Sequence, residues 1–215
     1  MLILDLAAAF DQAIWGRRLL DHPYYQRWQE GLLTLGDLAA YAEQYRHVER
    51  CLPGVLSATA ERLGAGPAKR LVEDNLRDER SRPQPHVELF EGFAAAVGAG
   101  LEAGATGATR ELVDLYHRAA SSDPVAALAV IGAYELQAAE VAATKAESLR
   151  VHYRLSAEGT EFWDVHAELE QGHAAWTLDA LRMLAPSPAT VREFAATSAD
   201  SWWAFLDERE TSPSS

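Results

Sequence analysis

Cysteine occurs once in the 215 residues, as Cys51, so no intrachain disulfide can form and a reducing compartment is expected. Basic stripes are absent: 19 Lys and Arg stand against 32 Asp and Glu. The net charge of −13 leaves nothing to offset phosphate repulsion, which excludes nucleic acid as a partner. No apolar run approaches the ~20 residues that cross a bilayer. The N-terminal stretch lacks a basic region and meets Asp5 and Asp11 too early for a signal peptide. These absences together point to a cytoplasmic protein without a membrane partner. Runs of β-branched residues, strand-like alternation, repeats and linkers are missing too. The expected fold class is therefore all-α, as one helical domain over residues 1–210 with a disordered tail at 211–215.

What is present is helical periodicity from end to end. Leu4, Ala7, Ala8, Ile14 and Trp15 mark a first helix, and Asp21-His22-Pro23 a break before Tyr24, Tyr25 and Trp28. Thr34 with Asp37 reads as a capping box. Its helix is expected to run to about Cys51, because Pro53 disfavours helix at Leu52. A further helix should cover Gly54 to Leu63, ending at Gly64-Ala-Gly66. Pro67 suits the first turn of the next, and Pro83 and Pro85 interrupt the pattern before it resumes at His86. Asp123-Pro124 opens a long helix to about Val151, and two more follow, at about Glu158 to Pro186 and Ala189 to Arg209. Trp202, Trp203 and Phe205 read as core, with a homodimer contact as the other reading.

The chemistry is concentrated in three places. At ~100° and ~1.5 Å per residue, His166, Glu170 and His173 share an arc of about 60° on one helix face. Two imidazoles with a carboxylate between them can bracket a pair of metal ions ~3.5–4 Å apart. Glu79 and His86 flank the proline break, which can fold the imidazole back towards the carboxylate. Glu135 lies in an apolar stretch with Leu128, Val130, Ile131 and Leu136, where a carboxylate is costly unless paired or metal-bound. Glu140 is its competitor and faces elsewhere. Three histidines and three glutamates from three helices thus form a candidate metal site. Three carboxylates leave two Fe(II) ions a residual +1, and mixed nitrogen and oxygen donors suit iron or manganese.

Asn75-Leu-x-x-Glu79, His86-Val-Glu-Leu-Phe90, Tyr134-Glu135 and His166-x3-Glu170-x2-His173 resemble the haem-oxygenase-like di-iron oxidases and oxygenases. His22-Pro-Tyr-Tyr-x-x-Trp28 and Lys145-x-x-Ser-Leu-x-x-His-Tyr153 support the match, which spans about residues 20 to 180. The resemblance implies a haem-oxygenase-like bundle of about seven main helices. It implies two irons, or iron with manganese at one site, held by Glu79, His86, Glu135, His166, Glu170 and His173. It also implies dioxygen, an external reductant and oxidation of a small-molecule substrate in cofactor or natural-product biosynthesis.

The self-sacrificing 4-aminobenzoate synthase branch is more similar still. It pairs a tyrosine beside the ligand glutamate with a lysine ten residues on, matching Tyr134 and Lys145 as catalytic residues, and its tyrosine donor maps to Tyr24 or Tyr25. Lys145 is ~15 Å along the helix from Glu135 and reaches the metal cluster only if that helix bends or unwinds. Two departures stand out: Glu170 where the family often has aspartate, and Phe162 where a tyrosine is expected.

Other readings remain. A cofactor-free, quinone-biosynthesis-like oxidase would leave six ligand-like residues without a purpose, and a non-catalytic helical binding module would leave the pocket empty. A thiaminase-like hydrolase needs a nucleophilic cysteine, and Cys51 has the setting of a packed residue. Haem oxygenase needs a histidine in the first helix, and a ferritin-like bundle needs a second Glu-x-x-His.

Overall fold

Two capping signals act where they stand. Thr34 Oγ1 accepts from the Asp37 amide at 3.1 Å while Asp37 accepts from the Thr34 amide at 2.8 Å, so the box is reciprocal. Asp123 accepts from the Val125 amide at 2.6 Å, and Pro124 fills the first turn, where its missing N–H costs nothing.

The computed structural model describes residues 6–81 and 84–211. Its elements are α1 (Leu6–Ile14), a 3-10 turn (Leu19–Asp21), α2 (Pro23–Gln29), α3 (Leu35–Arg62) and α4 (Pro67–Ser81). They continue with α5 (His86–Ala96), α6 (Gly107–Ser122), α7 (Pro124–Val151), α8 (Ala157–Leu184) and α9 (Pro188–Thr211). Seven of these helices run for eleven residues or more, with α1 and α2 as short additions, and no strand occurs among the described residues. The all-α bundle of about seven main helices is the fold observed. Leu4, Pro83 and residues 212–215, all part of the expectations above, lie outside the described residues.

α7 is the axis of the bundle. From Ala126 to Ala133 every residue is buried, so this segment is apolar all round, and it packs most extensively on α8 and then α9. It is also the only described helix long and apolar enough to cross a bilayer, which corrects the expectation that no segment is. Of its most apolar window 72% is buried by neighbouring helices, as in the core helix of a bundle. Close approach is secured by Gly132, where an added Cβ would stand 2.9 Å from Phe10 of α1 and 3.1 Å from Thr177 of α8.

Two boundaries and one helix count differ from expectation. α3 does not end at Cys51 but runs through Pro53 to Arg62. Pro53 deprives the Glu49 carbonyl of its helical donor, at a cost of about 3 kcal/mol. Burial of Val55, Leu56 and Ala60 beyond it outweighs that, since each large apolar side chain is worth about 1.5–3 kcal/mol. Thr211 belongs to the last turn of α9 and not to a tail. Glu79 and His86 fall on separate helices, so the six candidate ligands come from four helices and not three. Trp202 and Phe205 are core residues as expected, whereas Trp203 is half-buried and packs against His22 at 4.7 Å.

Candidate metal centre

The break between α4 and α5 turns His86 back against Glu79, with Nδ1 to Oε2 at 3.1 Å. α8 brings its three residues to the same place. His173 Nδ1 is 3.6 Å from Glu79 and 3.7 Å from Glu170, and His166 Nε2 is 3.8 Å from Glu170. The His86 and His166 rings lie 4.5 Å apart, and those of His86 and His173 6.1 Å. Glu135 enters from α7 with both oxygens held: Oε1 accepts from Asn75 at 2.8 Å and Oε2 from Thr177 at 2.6 Å. All six sequence-derived candidates are buried and five meet directly, with Glu135 bordering the same cavity as Glu79, His166 and Glu170.

Three contributors were missed, and a fourth, Asn75, stood in a motif without an assigned role. Glu49 of α3 lines the cavity, and a donor atom from each of Glu49, His86 and His166 can be chosen so that all lie within 4.8 Å of one another. Asp78 lies 3.7 Å from His173 Nε2. Asn75 and Thr177 orient Glu135. Their signal was faint: Asn75 is one helical turn before Glu79 and Thr177 one turn after His173, on the faces already identified.

The electrostatics suit a cation. Burial pushes Glu170 well above the usual carboxylate range, and the charges of Glu135, Glu79 and Glu49 add to this. Glu135 is raised by burial, against the pull of His173, Thr177 and Asn75. Burial also acts on Glu79, but the hydrogen bond and charge of His86, with His173 and His166, turn the net shift downward. Burial and the neighbouring His86 push His166 down to about 3, so it is a neutral imidazole at physiological pH. Its Nδ1 lies 2.7 Å from the Phe162 carbonyl, which can only accept, so the proton sits on Nδ1 and the Nε2 lone pair faces the carboxylates. Glu170 Oε2 and His173 Nε2 are buried without a hydrogen-bond partner. Unsatisfied buried atoms of this kind are rare in folded proteins, and a metal ion would satisfy them. The donor set fits iron or manganese.

Lys145 does not reach this cluster. α7 runs unbroken from Glu135 to Lys145, so the axial separation is kept, and the bend or unwinding that contact would require is not found. Instead the amine is buried among rings: it donates to Tyr25 Oη at 2.9 Å and Tyr41 Oη at 2.7 Å, and lies 4.0 Å from the Trp163 ring centre. The two phenol oxygens are 2.8 Å apart. Tyr24 is turned away, its hydroxyl donating to the Asp37 carbonyl at 2.9 Å, so Tyr25 is the tyrosine beside the lysine. Tyr134 stands on the cavity wall, where its hydroxyl is 2.9 Å from that of Tyr45 and its ring stacks on Trp202 at 4.4 Å. Tyr45 in turn stacks on Tyr41 at 5.5 Å. Phe162, where a tyrosine was expected, packs in the core against the His166 ring at 3.9 Å. Burial pushes the Cys51 thiol up to about 12, which leaves no thiolate for nucleophilic catalysis.

The sequence model of the iron-containing redox enzymes, a haem-oxygenase-like group, matches residues 39–205. The chain belongs to this family. Two relatives of this redox enzyme are named 4-aminobenzoate synthase. The one from Chlamydia pneumoniae is 30% identical over 203 residues, covering 91% of each chain. The one from Nitrosomonas europaea is 32% identical, covering 92% of this chain and 87% of that protein. Among solved structures, a TenA homologue from Pseudomonas syringae pv. tomato superposes with a TM-score of 0.83 at 17% identity, over 98% of this chain and 94% of that one. A CADD-like protein of unknown function from Nostoc punctiforme gives 0.71 at 17% identity, over 96% and 100%. At such identities these two establish the fold alone.

Proposed function

We propose that this iron-containing redox enzyme is an oxygen-dependent 4-aminobenzoate synthase that consumes its own Tyr25 as the source of the ring and Lys145 as the source of nitrogen. The contact of the Lys145 amine with the Tyr25 hydroxyl, at 2.9 Å inside the core, is the observation that carries the reading. 4-Aminobenzoate is a benzene ring with nitrogen para to a one-carbon substituent. A tyrosine side chain already has that skeleton. Release would break its Cα–Cβ bond and oxidise the benzylic carbon to the carboxylate, dioxygen being the oxidant. The para oxygen, lost as water, would be replaced by the Lys145 nitrogen with cleavage of the Nζ–Cε bond. The names of the relatives supply the product.

Glu79, His86, Glu135, His166, Glu170 and His173 would hold two irons, or iron and manganese. The reduced pair, recharged by an external reductant, would supply the electrons that reduce dioxygen and so the oxidising power for the reaction. The chain's own residues do the rest. Asn75 and Thr177 fix the Glu135 carboxylate, and the Phe162 carbonyl fixes the His166 tautomer. The cavity beside these residues has a volume of about 30 Å³. It admits a water-sized molecule, and so dioxygen. Oxidising equivalents would travel outward through Tyr134, Tyr45 and Tyr41, whose hydroxyl and ring contacts run from the cavity wall to Tyr25. Each phenol that loses an electron also sheds its proton, and the Tyr134–Tyr45 and Tyr25–Tyr41 hydrogen bonds offer a near acceptor. Burial lowers the Lys145 pKa well below the lysine range, which favours the neutral, nucleophilic amine.

The test is oxygen exposure of protein loaded anaerobically with Fe(II), alone or with Mn(II), plus reductant, with mass spectrometry of small molecules and intact chain. Wild type should release 4-aminobenzoate and lose mass. Tyr25→Phe should release none, and Tyr24→Phe should retain activity. Product from Tyr25→Phe, or turnover of an added substrate with the chain unchanged, would leave a conventional oxidase acting on an external small molecule.

A further inference from the structure

Glu49 has no place in the six-residue set, yet it is among the most confined carboxylates in the molecule. It is 4% exposed, and its Oε1 is buried without a hydrogen-bond partner. It lines the same cavity as Glu79, Glu135, His166 and Glu170. Its basic neighbours on α3 do not compensate it: Arg46 and Arg50 both turn to Glu91, at 2.9 and 3.0 Å. An isolated buried carboxylate is costly enough that it takes up a proton or meets a cation. Donors of metal-ligand type stand close to Glu49: one atom from each of Glu49, His86 and His166 falls within a mutual 4.8 Å.

We propose that Glu49 is a seventh protein ligand of the metal centre, forming with His86 and His166 a two-histidine, one-carboxylate set on one of the two ions. Two imidazoles and one carboxylate are a donor set that would suit non-haem iron in dioxygen chemistry. Donors bound at about 2.1 Å sit roughly 3–4 Å apart, so the three close in by about an ångström when the ion arrives. Pro53 bears on this, because it cannot donate to the Glu49 carbonyl and the helix is less constrained at that turn. With Glu49 bound, four carboxylates balance two divalent ions, and the centre is neutral where six ligands leave it at +1. A neutral centre holds its metals more tightly and attracts small anions less.

The inference rests on the metal reading above, and its test separates the two. Mn(II) is titrated anaerobically into wild type and Glu49→Gln, which keeps the shape and removes the charge, with metal analysis and electron paramagnetic resonance. Wild type should bind two Mn(II) per chain with a spin-coupled spectrum. The variant should lose tenfold or more in affinity at one site and lose the coupled signal. Two ions bound within twofold of wild-type affinity, with an unchanged spectrum, would overturn the role of Glu49 alone. Failure of wild type to bind metal would overturn the metal reading with it. Should Glu49→Gln lose its helical circular dichroism, the structure of Mn(II)-loaded wild type decides. A Glu49 oxygen within about 2.3 Å of an ion upholds the proposal, and one beyond about 3.5 Å rejects it.

Discussion

Lys145 spends stability where it stands. Burial disfavours its charged form by several kcal/mol, whereas the surrounding ring faces return about 2 kcal/mol to a desolvated cation. Desolvation wins, and the folded-state pKa lies well below the ordinary lysine value of 10.5. The unfolded chain therefore binds one more proton between the folded value and that of a free lysine. Stability accordingly rises as pH climbs through that window, with a slope of at most about 1.4 kcal/mol per pH unit. Lys145→Met has no such proton. Urea denaturation of the metal-free protein at pH 7 and pH 9 should show wild type gaining more than the variant, with the variant at least as stable at pH 7. Equal gains would mean that Lys145 is charged in the fold. The pocket itself was not legible in the sequence, because Tyr25 and Tyr41 lie over a hundred residues from Lys145 and only packing joins them. Glu49 was hidden differently: beside Arg50 it reads as surface charge, although Tyr41, Tyr45 and Glu49 follow one another at four-residue spacing on one face of α3.

Helices α7 and α8 carry four of the seven proposed ligands, Glu135, His166, Glu170 and His173, and also Tyr134. Their closeness depends on Gly132, one turn before Glu135. Gly132→Ala would press a methyl group on Phe10 and Thr177 and disturb the hydroxyl that holds Glu135. It should cost about 1–3 kcal/mol and weaken metal binding, as seen by denaturation and by chelator competition. A neutral result in both would show that α1 and α8 yield easily there. Helix starts were legible because Thr34-x-x-Asp37 and Asp123-Pro124 are local devices, complete within four residues. The run of α3 through Pro53 was not, since the local rule was outweighed by burial of Val55, Leu56 and Ala60, partners that the sequence does not place. The His166–Glu170–His173 face was legible because a single helix fixes it.

Over the whole molecule, buried acid and imidazole groups from α3, α4, α5, α7 and α8 gather in and around one cavity, so the fold carries an electrostatic cost that divalent ions would relieve. A ligand that binds only the folded state stabilises it by about 2.7 kcal/mol at a hundred times its Kd. Anaerobic Fe(II) or Mn(II) should therefore raise the melting temperature by several degrees, and a chelator should reverse the gain. Mg(II), a harder ion with little affinity for imidazole, should do much less. Equal effects of all three would mean non-specific screening of the −13 net charge. The central claim, that the ring of the product is the protein's own, is tested most directly by isotope labelling. Protein grown on ring-13C tyrosine is purified, loaded anaerobically with iron and manganese, and exposed to dioxygen and reductant in unlabelled buffer. If Tyr25 is the source, 4-aminobenzoate carries the full ring label, at no more than one molecule per chain. Unlabelled 4-aminobenzoate, or many molecules per chain, would contradict the claim.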